Sequence, residues 1–115
     1  MKKVIVNILL MDENGVIDCS FKGIQFTGVM NEEFIFAKCV YGKGPEYVQI
    51  PIGDILDKTE EYRTLQDFCT VEMKIPQKIS VTEKLQQYFN LNLTDELKKF
   101  IDETIKVETK AYQSI

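Results

Sequence analysis

The sequence predicts an α+β fold, in which a strongly bent antiparallel sheet or partly open barrel of about six strands carries two C-terminal helices packed on it. Residues 1–76 consist mainly of short apolar or alternating segments bounded by glycine, asparagine and proline, as strands are. Residues 80–106 instead show capping residues and helical spacing of apolar side chains. A chain of 115 residues has the size of one domain, so we expect residues 1–115 to fold as a single α+β unit.

The pattern is most specific in the central stretch of residues 23–55. Phe34 to Tyr41 is apolar on both alternating phases apart from Lys38, which is typical of a strand covered on both faces. Tyr47 to Ile52 alternates, and Pro51 lacks the N–H that an interior ladder needs, so this strand should end, bulge or lie at an edge. With the flanking segments, six strands are expected, at residues 4–11, 16–21, 24–29, 34–41, 47–52 and 68–75.

The turn after the first strand carries a strong hairpin signal. Asn14 and Gly15 both tolerate positive φ, which favours a tight two-residue turn. The pattern therefore predicts that Val16 to Phe21 returns alongside the first strand.

Helix signals fall at three places. A short helix is predicted near residues 60–67, which begin with two glutamates. Ser80 and Glu83 have capping-box spacing and predict a helix over residues 81–90, and Thr94 starts a second one. The side chains expected on their buried faces are Val81, Leu85, Tyr88, Phe89, Leu97, Phe100, Ile101 and Ile105. Because the linker is short, the two helices are expected to be neighbours that cover one face of the sheet.

Composition and charge favour a protein partner. The formal net charge is −4, and Arg63 is the only arginine among 14 basic residues. Because arginine is preferred for bidentate recognition of phosphates and bases, its scarcity disfavours sequence-specific binding of nucleic acid. The apolar run at the N-terminus is too short to span a bilayer, so no membrane association is expected.

The cysteines indicate a reducing compartment. Cys19, Cys39 and Cys69 are odd in number and far apart in the sequence, which supports neither a disulfide framework nor a metal knuckle. The favoured interpretation is reduced thiols in core or half-core positions of a cytoplasmic protein. An enzyme using Cys39 or an acid cluster is a third-ranked hypothesis, since the chain has no histidine to activate a thiol.

The sequence carries little catalytic chemistry. It lacks a phosphate-binding glycine loop, a dinucleotide fingerprint and a nucleophile elbow. Adjacent carboxylates lie at turns or helix starts, where solvated charge is the simpler interpretation. Asp54 and Asp57 are slightly better placed for a weak cation site, although solvated charge is favoured there too. We therefore expect no enzyme, no metal and no cofactor.

Candidate binding residues cluster around turns. The phenylalanines lie in phase with aliphatic residues, so core packing is favoured over a base-stacking platform. Tyr41 and Tyr47 flank the Gly-Lys-Gly-Pro-Glu loop and are the aromatic residues most expected to be exposed. Together with Lys43 in that loop and with Glu32 and Glu33 in the preceding turn, they are the predicted partner-binding residues.

One segment carries a family resemblance. Two glycines with a five-residue offset, Gly23 and Gly28, lie in the run VIDCSFKGIQFTGVMNEEFIFAKC, which also contains the apolar Phe34 to Phe36. A closing strand before Ile55 follows, in the segment YVQIPIGDI. In these features the segment resembles the five-strand arrangement of Sm-like small barrels. The resemblance implies an SH3-like barrel. We carry over no binding residue, because the family's acidic-asparagine signature and the basic or histidine motif on its closing strand are absent.

The leading interpretation of function is non-catalytic binding. We expect a small interaction or regulatory protein, an inhibitor from a mobile element being one example, that presents an acidic surface and a strand edge to another protein. An exposed edge can also pair with its own copy, which makes a homodimer or higher homo-oligomer a further expectation. The alternative is nucleic-acid or nucleotide binding on an Sm-like barrel, using Lys22, Lys38 and Lys43 with Tyr41 and Tyr47.

Overall fold

The computed structural model describes residues 2–55, 57–62 and 68–113. The strands are β1 (Lys2–Met11), β2 (Ile24–Met30), β3 (Phe34–Tyr41), β4 (Tyr47–Pro51), β5 (Asp57–Tyr62) and β6 (Phe68–Pro76). The helices are α1 (Val81–Gln86) and α2 (Asp95–Gln113), and a 3₁₀ turn, Ile52–Asp54, follows β4. Within the described residues, neither helix combines the length and the hydrophobicity needed to cross a membrane.

One curled sheet organises the chain, which confirms the α+β class and the bent, barrel-like shape. Its regularly paired part contains five strands in the order β4-β3-β2-β1-β6, and β5 lies outside β6 with an irregular register. The antiparallel prediction is wrong at one place, because β1 and β6 run parallel, from Lys3 opposite Phe68 to Met11 opposite Pro76. β1 therefore pairs along both edges, which suits its apolar sequence.

Five of the six expected strands are present, and the exception is residues 16–21. Among the described residues, this segment makes a single sheet pairing, the isolated bridge from Met11 to Ile17. β6 pairs with β1 as far as Met11, and β2 occupies the other edge of β1 from Lys2 to Ile8. Only the last residues of β1 remain for a returning strand, and there the N–H of Asp18 donates to the carbonyl of Leu10 at 2.9 Å. Local hydrogen bonds hold the turn instead, and the Oδ1 atom of Asp12 accepts the N–H of Val16 at 2.9 Å.

Residues 57–62 form β5, although the sequence pattern predicts a short helix near residues 60–67. β5 pairs antiparallel with β6, with a register shift between Asp57 and Glu61. Pairing with the edge of β6 satisfies backbone groups that a two-turn helix would leave largely without partners. Residues 63–67, which complete the predicted helix, lie outside the described residues.

The two helices lie on opposite faces of the sheet, so the prediction that they cover one face together is wrong. Leu85 of α1 packs in the main core with strand residues such as Val6 and Ile50. Ile101 of α2 packs in a second core with Val29, whose side chain points to the other side of the sheet. Only α2 is a C-terminal helix, because α1 is a short element between β6 and α2.

The helix starts agree with the capping signals. The Oγ atom of Ser80 accepts the N–H of Glu83 at 3.3 Å, and the Oγ1 atom of Thr94 accepts the N–H of Leu97 at 3.2 Å. The helix ends differ from the prediction, since α1 is shorter and α2 is longer than the sequence pattern indicates. The early end of α1 leaves a connection that runs along β4, and this connection shapes the candidate site.

Candidate functional site

The five predicted partner-binding residues do not form one surface. Glu32 and Glu33 are exposed in the turn between β2 and β3. Tyr41 and Lys43 are exposed at the opposite end of β3, roughly 25 Å away along a strand of this length. Tyr47 is half-buried in the second core rather than exposed as predicted. The structure therefore separates the acidic pair from the tyrosine and lysine residues.

The acidic turn has a defined local geometry. The Oδ1 atom of Asn31 accepts the N–H groups of Glu33 and Phe34, each at 2.8 Å. This arrangement uses an asparagine side chain to close the turn, as such residues commonly do. Glu32 and Glu33 remain exposed, so their role as a contact for a partner stays a prediction.

Tyr47 connects β4 to α2. The Nζ atoms of Lys38 and Lys98 lie 5.5 Å and 5.4 Å from the centroid of its ring. Lys38 also lies 3.9 Å from a carboxylate oxygen of Asp102 in α2. Cation–π contacts of this kind stabilise partly exposed aromatic rings by about 0.5–1 kcal/mol. Tyr47 is thus primarily a packing residue with one accessible side.

A shallow depression of about 260 Å³ opens beside Tyr47. Its lining includes the five residues that we call the linker patch, which are Pro45, Tyr47, Phe89, Leu91 and Lys98. Phe89 is 40% exposed and Leu91 is 75% exposed. The prediction that Phe89 is buried is wrong. α1 ends at Gln86, and Phe89 instead forms an isolated bridge with Val48 of β4.

Hydrogen bonds fix the linker patch on β4. The N–H of Gln49 donates to the carbonyl of Tyr88 at 2.8 Å, and the N–H of Asn90 donates to the carbonyl of Tyr47 at 3.2 Å. The Nδ2 atom of Asn90 also donates to the Oε1 atom of Gln49 at 2.6 Å. β4 lies at the edge of the sheet, as Pro51 predicts. On the side that faces away from β3, however, Tyr47 and Gln49 already make these hydrogen bonds.

No local pattern in the sequence marks Leu91 as an exposed residue. Leu91 stands between Asn90 and Asn92 in a short polar linker, where an aliphatic side chain has no helix face to join. The N–H of Asn92 donates to the Oδ1 atom of Asn90 at 2.8 Å, which closes a turn there. Leu93, on the other side of Asn92, has similar polar neighbours but is buried in the second core, so the sequence pattern does not distinguish the exposed leucine from the buried one.

The residues proposed for the nucleic-acid alternative are also split. Lys22 and Tyr41 line one depression on the sheet. Lys38 and Tyr47 contact each other beside α2, and Lys43 is exposed in the loop between β3 and β4. These five residues do not form a continuous basic and aromatic surface.

The described residues contain no group of three or more histidine, cysteine, aspartate or glutamate residues arranged to hold a metal ion. Of the two residues predicted for a weak cation site, Asp54 accepts a hydrogen bond from the hydroxyl of Tyr88 at 3.0 Å. The side chain of Asp57 is not among the described side chains. Cys69 is buried and Cys39 is half-buried, as expected, whereas Cys19 is exposed in the loop after β1. Cys19 is exposed because its segment does not form the predicted strand.

Burial raises the pKa of Tyr88 above its usual value of 10.0, and the nearby Asp54 carboxylate adds to the effect while Lys84 opposes it. The neutral phenol therefore stabilises the fold below pH 10, and this contribution should be lost as the pH rises through the higher folded pKa. We expect Tyr88→Phe to remove a component of the phenolate absorbance that titrates above the usual pKa of tyrosine. An unchanged titration curve in the variant would contradict this assignment.

Comparison of the chain with protein-family models, curated proteins and solved structures finds no match. The Sm-like resemblance therefore stays a prediction.

Proposed function

We propose that this chain is a non-catalytic interaction or regulatory protein that binds another protein through the linker patch. The observation that carries the proposal is the exposure of Phe89 and Leu91, at 40% and 75%, beside the accessible side of Tyr47. Adjacent exposed aromatic and aliphatic side chains are typical of binding sites, and aromatic residues dominate the energy of interfaces.

The hydrogen bonds around the patch support this proposal. Because Asn90 and Gln49 hold the connection against β4, Phe89 and Leu91 project from a fixed backbone. The linker patch then loses less conformational freedom on binding a partner than a flexible loop would. Lys98 beside the apolar side chains adds a charged rim, as many interfaces have.

The strand edge that the sequence predicts near Pro51 has a smaller role in this proposal. The backbone groups of Tyr47 and Gln49 on that side are engaged by residues 88–90. Docking of side chains into the linker patch is therefore favoured over addition of a strand to β4. Glu32 and Glu33 are proposed as a second, acidic contact for a large partner, and a second copy of the chain is one partner that the surface allows.

Affinity capture with matched variants tests the proposal. We expect the tagged wild-type chain to retain a protein partner at a fixed ratio, and the pair of substitutions Phe89→Ser and Leu91→Glu to weaken retention at least about 30-fold, as for a hot spot of about 2 kcal/mol. Val16→Glu is the control, because Val16 is 60% exposed in a different region of the chain. Native mass spectrometry of the purified chain reports any self-association.

Two results would contradict the proposal. One is that no protein is retained above the background and that the purified chain is a monomer. The other is that the Phe89 and Leu91 variant retains its partner as well as the Val16 control does. In the second case the partner binds elsewhere, and the acidic turn would be the next surface to change.

A further inference from the structure

A row of polar side chains crosses four adjacent strands of the sheet. Tyr41 of β3 pairs with Gln25 of β2, Gln25 pairs with Asn7 of β1, and Asn7 pairs with Glu72 of β6. Directly paired residues present their side chains on the same face of a sheet. We call these four residues the amide row, and at the usual spacing of strands it is roughly 14 Å long.

The amide row forms the floor of a depression of about 280 Å³. Lys22 and Leu9 also line the depression. The Nε2 atom of Gln25 donates to the Oδ1 atom of Asn7 at 2.9 Å. This bond leaves the amide nitrogen of Asn7 as a donor and the amide oxygen of Gln25 as an acceptor.

The row lies on central strands of the sheet, next to the surface that α2 covers. Thr27 and Val29 lie two and four residues along β2 from Gln25, point to the same face and are covered by α2, which contacts β2 and β3. The described residues around the depression belong to β1, β2, β3, β6 and the loop before β2. Asn7, Gln25 and Glu72 thus lie at central strands but outside the surface that α2 covers.

We propose that the amide row binds the unpaired base of a nucleotide. Adjacent amide donors and acceptors match the hydrogen-bonding edge of a nucleobase, which asparagine and glutamine commonly read. The ring of Tyr41 is 55% exposed and is available for stacking on the base. The ammonium group of Lys22 attracts the phosphate, and the carboxylate of Glu72 accepts a hydrogen bond from an amino or hydroxyl group.

A titration of the isotopically labelled full chain, followed by nuclear magnetic resonance, tests this site. The probes are each ribonucleoside 5′-monophosphate and short single-stranded RNA of one base type, with inorganic phosphate as the reference. We expect the backbone signals of Asn7, Gln25 and Tyr41 to shift with a nucleotide probe and not with phosphate alone. Binding of the monophosphate indicates a free nucleotide as the ligand, whereas binding of the RNA alone indicates a single strand, and either result supports the site.

A variant of Tyr41 tests the contribution of base stacking. Tyr41→Ala should weaken binding about 5- to 100-fold, the loss expected for one stacked base. Phe89→Ala is the control, because it removes an exposed aromatic ring from the linker patch and should leave nucleotide binding unchanged. The proposal is overturned if no nucleotide probe shifts the amide row, or if Tyr41→Ala binds as tightly as the control.

Discussion

Replacing Gly28 with alanine is expected to destabilise the fold by about 3 kcal/mol or more, at the upper end of what overpacking costs. Gly28 lies in β2, between Val4 of β1 and Ala37 of β3. A Cβ atom on Gly28 would overlap the carbonyl oxygen of Phe36 and would lie 2.6 Å from the Cα atom of Ala37. These are backbone atoms of the neighbouring strand, so relief of the overlap requires β2 and β3 to separate.

Urea unfolding of Gly28→Ala and Gly53→Ala measures this effect against a matched control. A Cβ atom on Gly53 would meet nothing within 4 Å, and Gly53 does not have a positive φ. We therefore expect Gly53→Ala to change the free energy of unfolding by less than about 1 kcal/mol, with stabilisation as the favoured direction. Equal stability of the two variants would show that the strands adjust without cost and would refute the argument from close approach.

The sequence predicts the strands better than it predicts their partners. Alternation and apolar runs place β1, β2, β3, β4 and β6, because these patterns follow from burial of one or both faces of each strand. The choice of partner is not local, since β1 pairs in parallel with β6 across most of the chain. The edge of β1 that Val16 to Phe21 would use is taken by β2, which pairs with β1 from Lys2 to Ile8. The turn at Asn14 and Gly15 therefore leads to a single bridge, between Met11 and Ile17, and not to a full hairpin.

The sequence predicts only part of the candidate site, because the exposure of a side chain also depends on elements that are distant in the sequence. The exposure of Tyr41 follows from its place beside a turn, and the sequence predicts it correctly. The half-buried state of Tyr47 depends on where α2 lies, which no local pattern reveals. Phe89 and Phe100 fall on the apolar faces of the predicted helices, yet they are 40% and 49% exposed. Helical spacing identifies a face, but the sheet covers only part of each face.

The end of α2 contains a polar contact that the sequence did not indicate. Glu108 is 5% exposed, and its Oε2 atom accepts the hydroxyl of Thr27 at 2.7 Å. Its Oε1 atom is buried and has no hydrogen-bond partner among the described residues. A buried carboxylate with one unsatisfied oxygen costs free energy, so the bond to Thr27 is the main compensation for burying Glu108.

Thr27→Val should therefore destabilise the protein by about 2–3 kcal/mol, because valine keeps the shape of threonine but leaves the carboxylate of Glu108 with no hydrogen bond. Glu108→Leu in the Thr27→Val background should restore most of this loss, since an apolar pair of similar shape leaves no buried polar group without a partner. Urea unfolding of the two single variants and the double variant measures the coupling between the sites. If the two effects simply add, the hydroxyl and the carboxylate do not depend on each other, and the docking of α2 on β2 must rest on Ile101 and the apolar contacts alone.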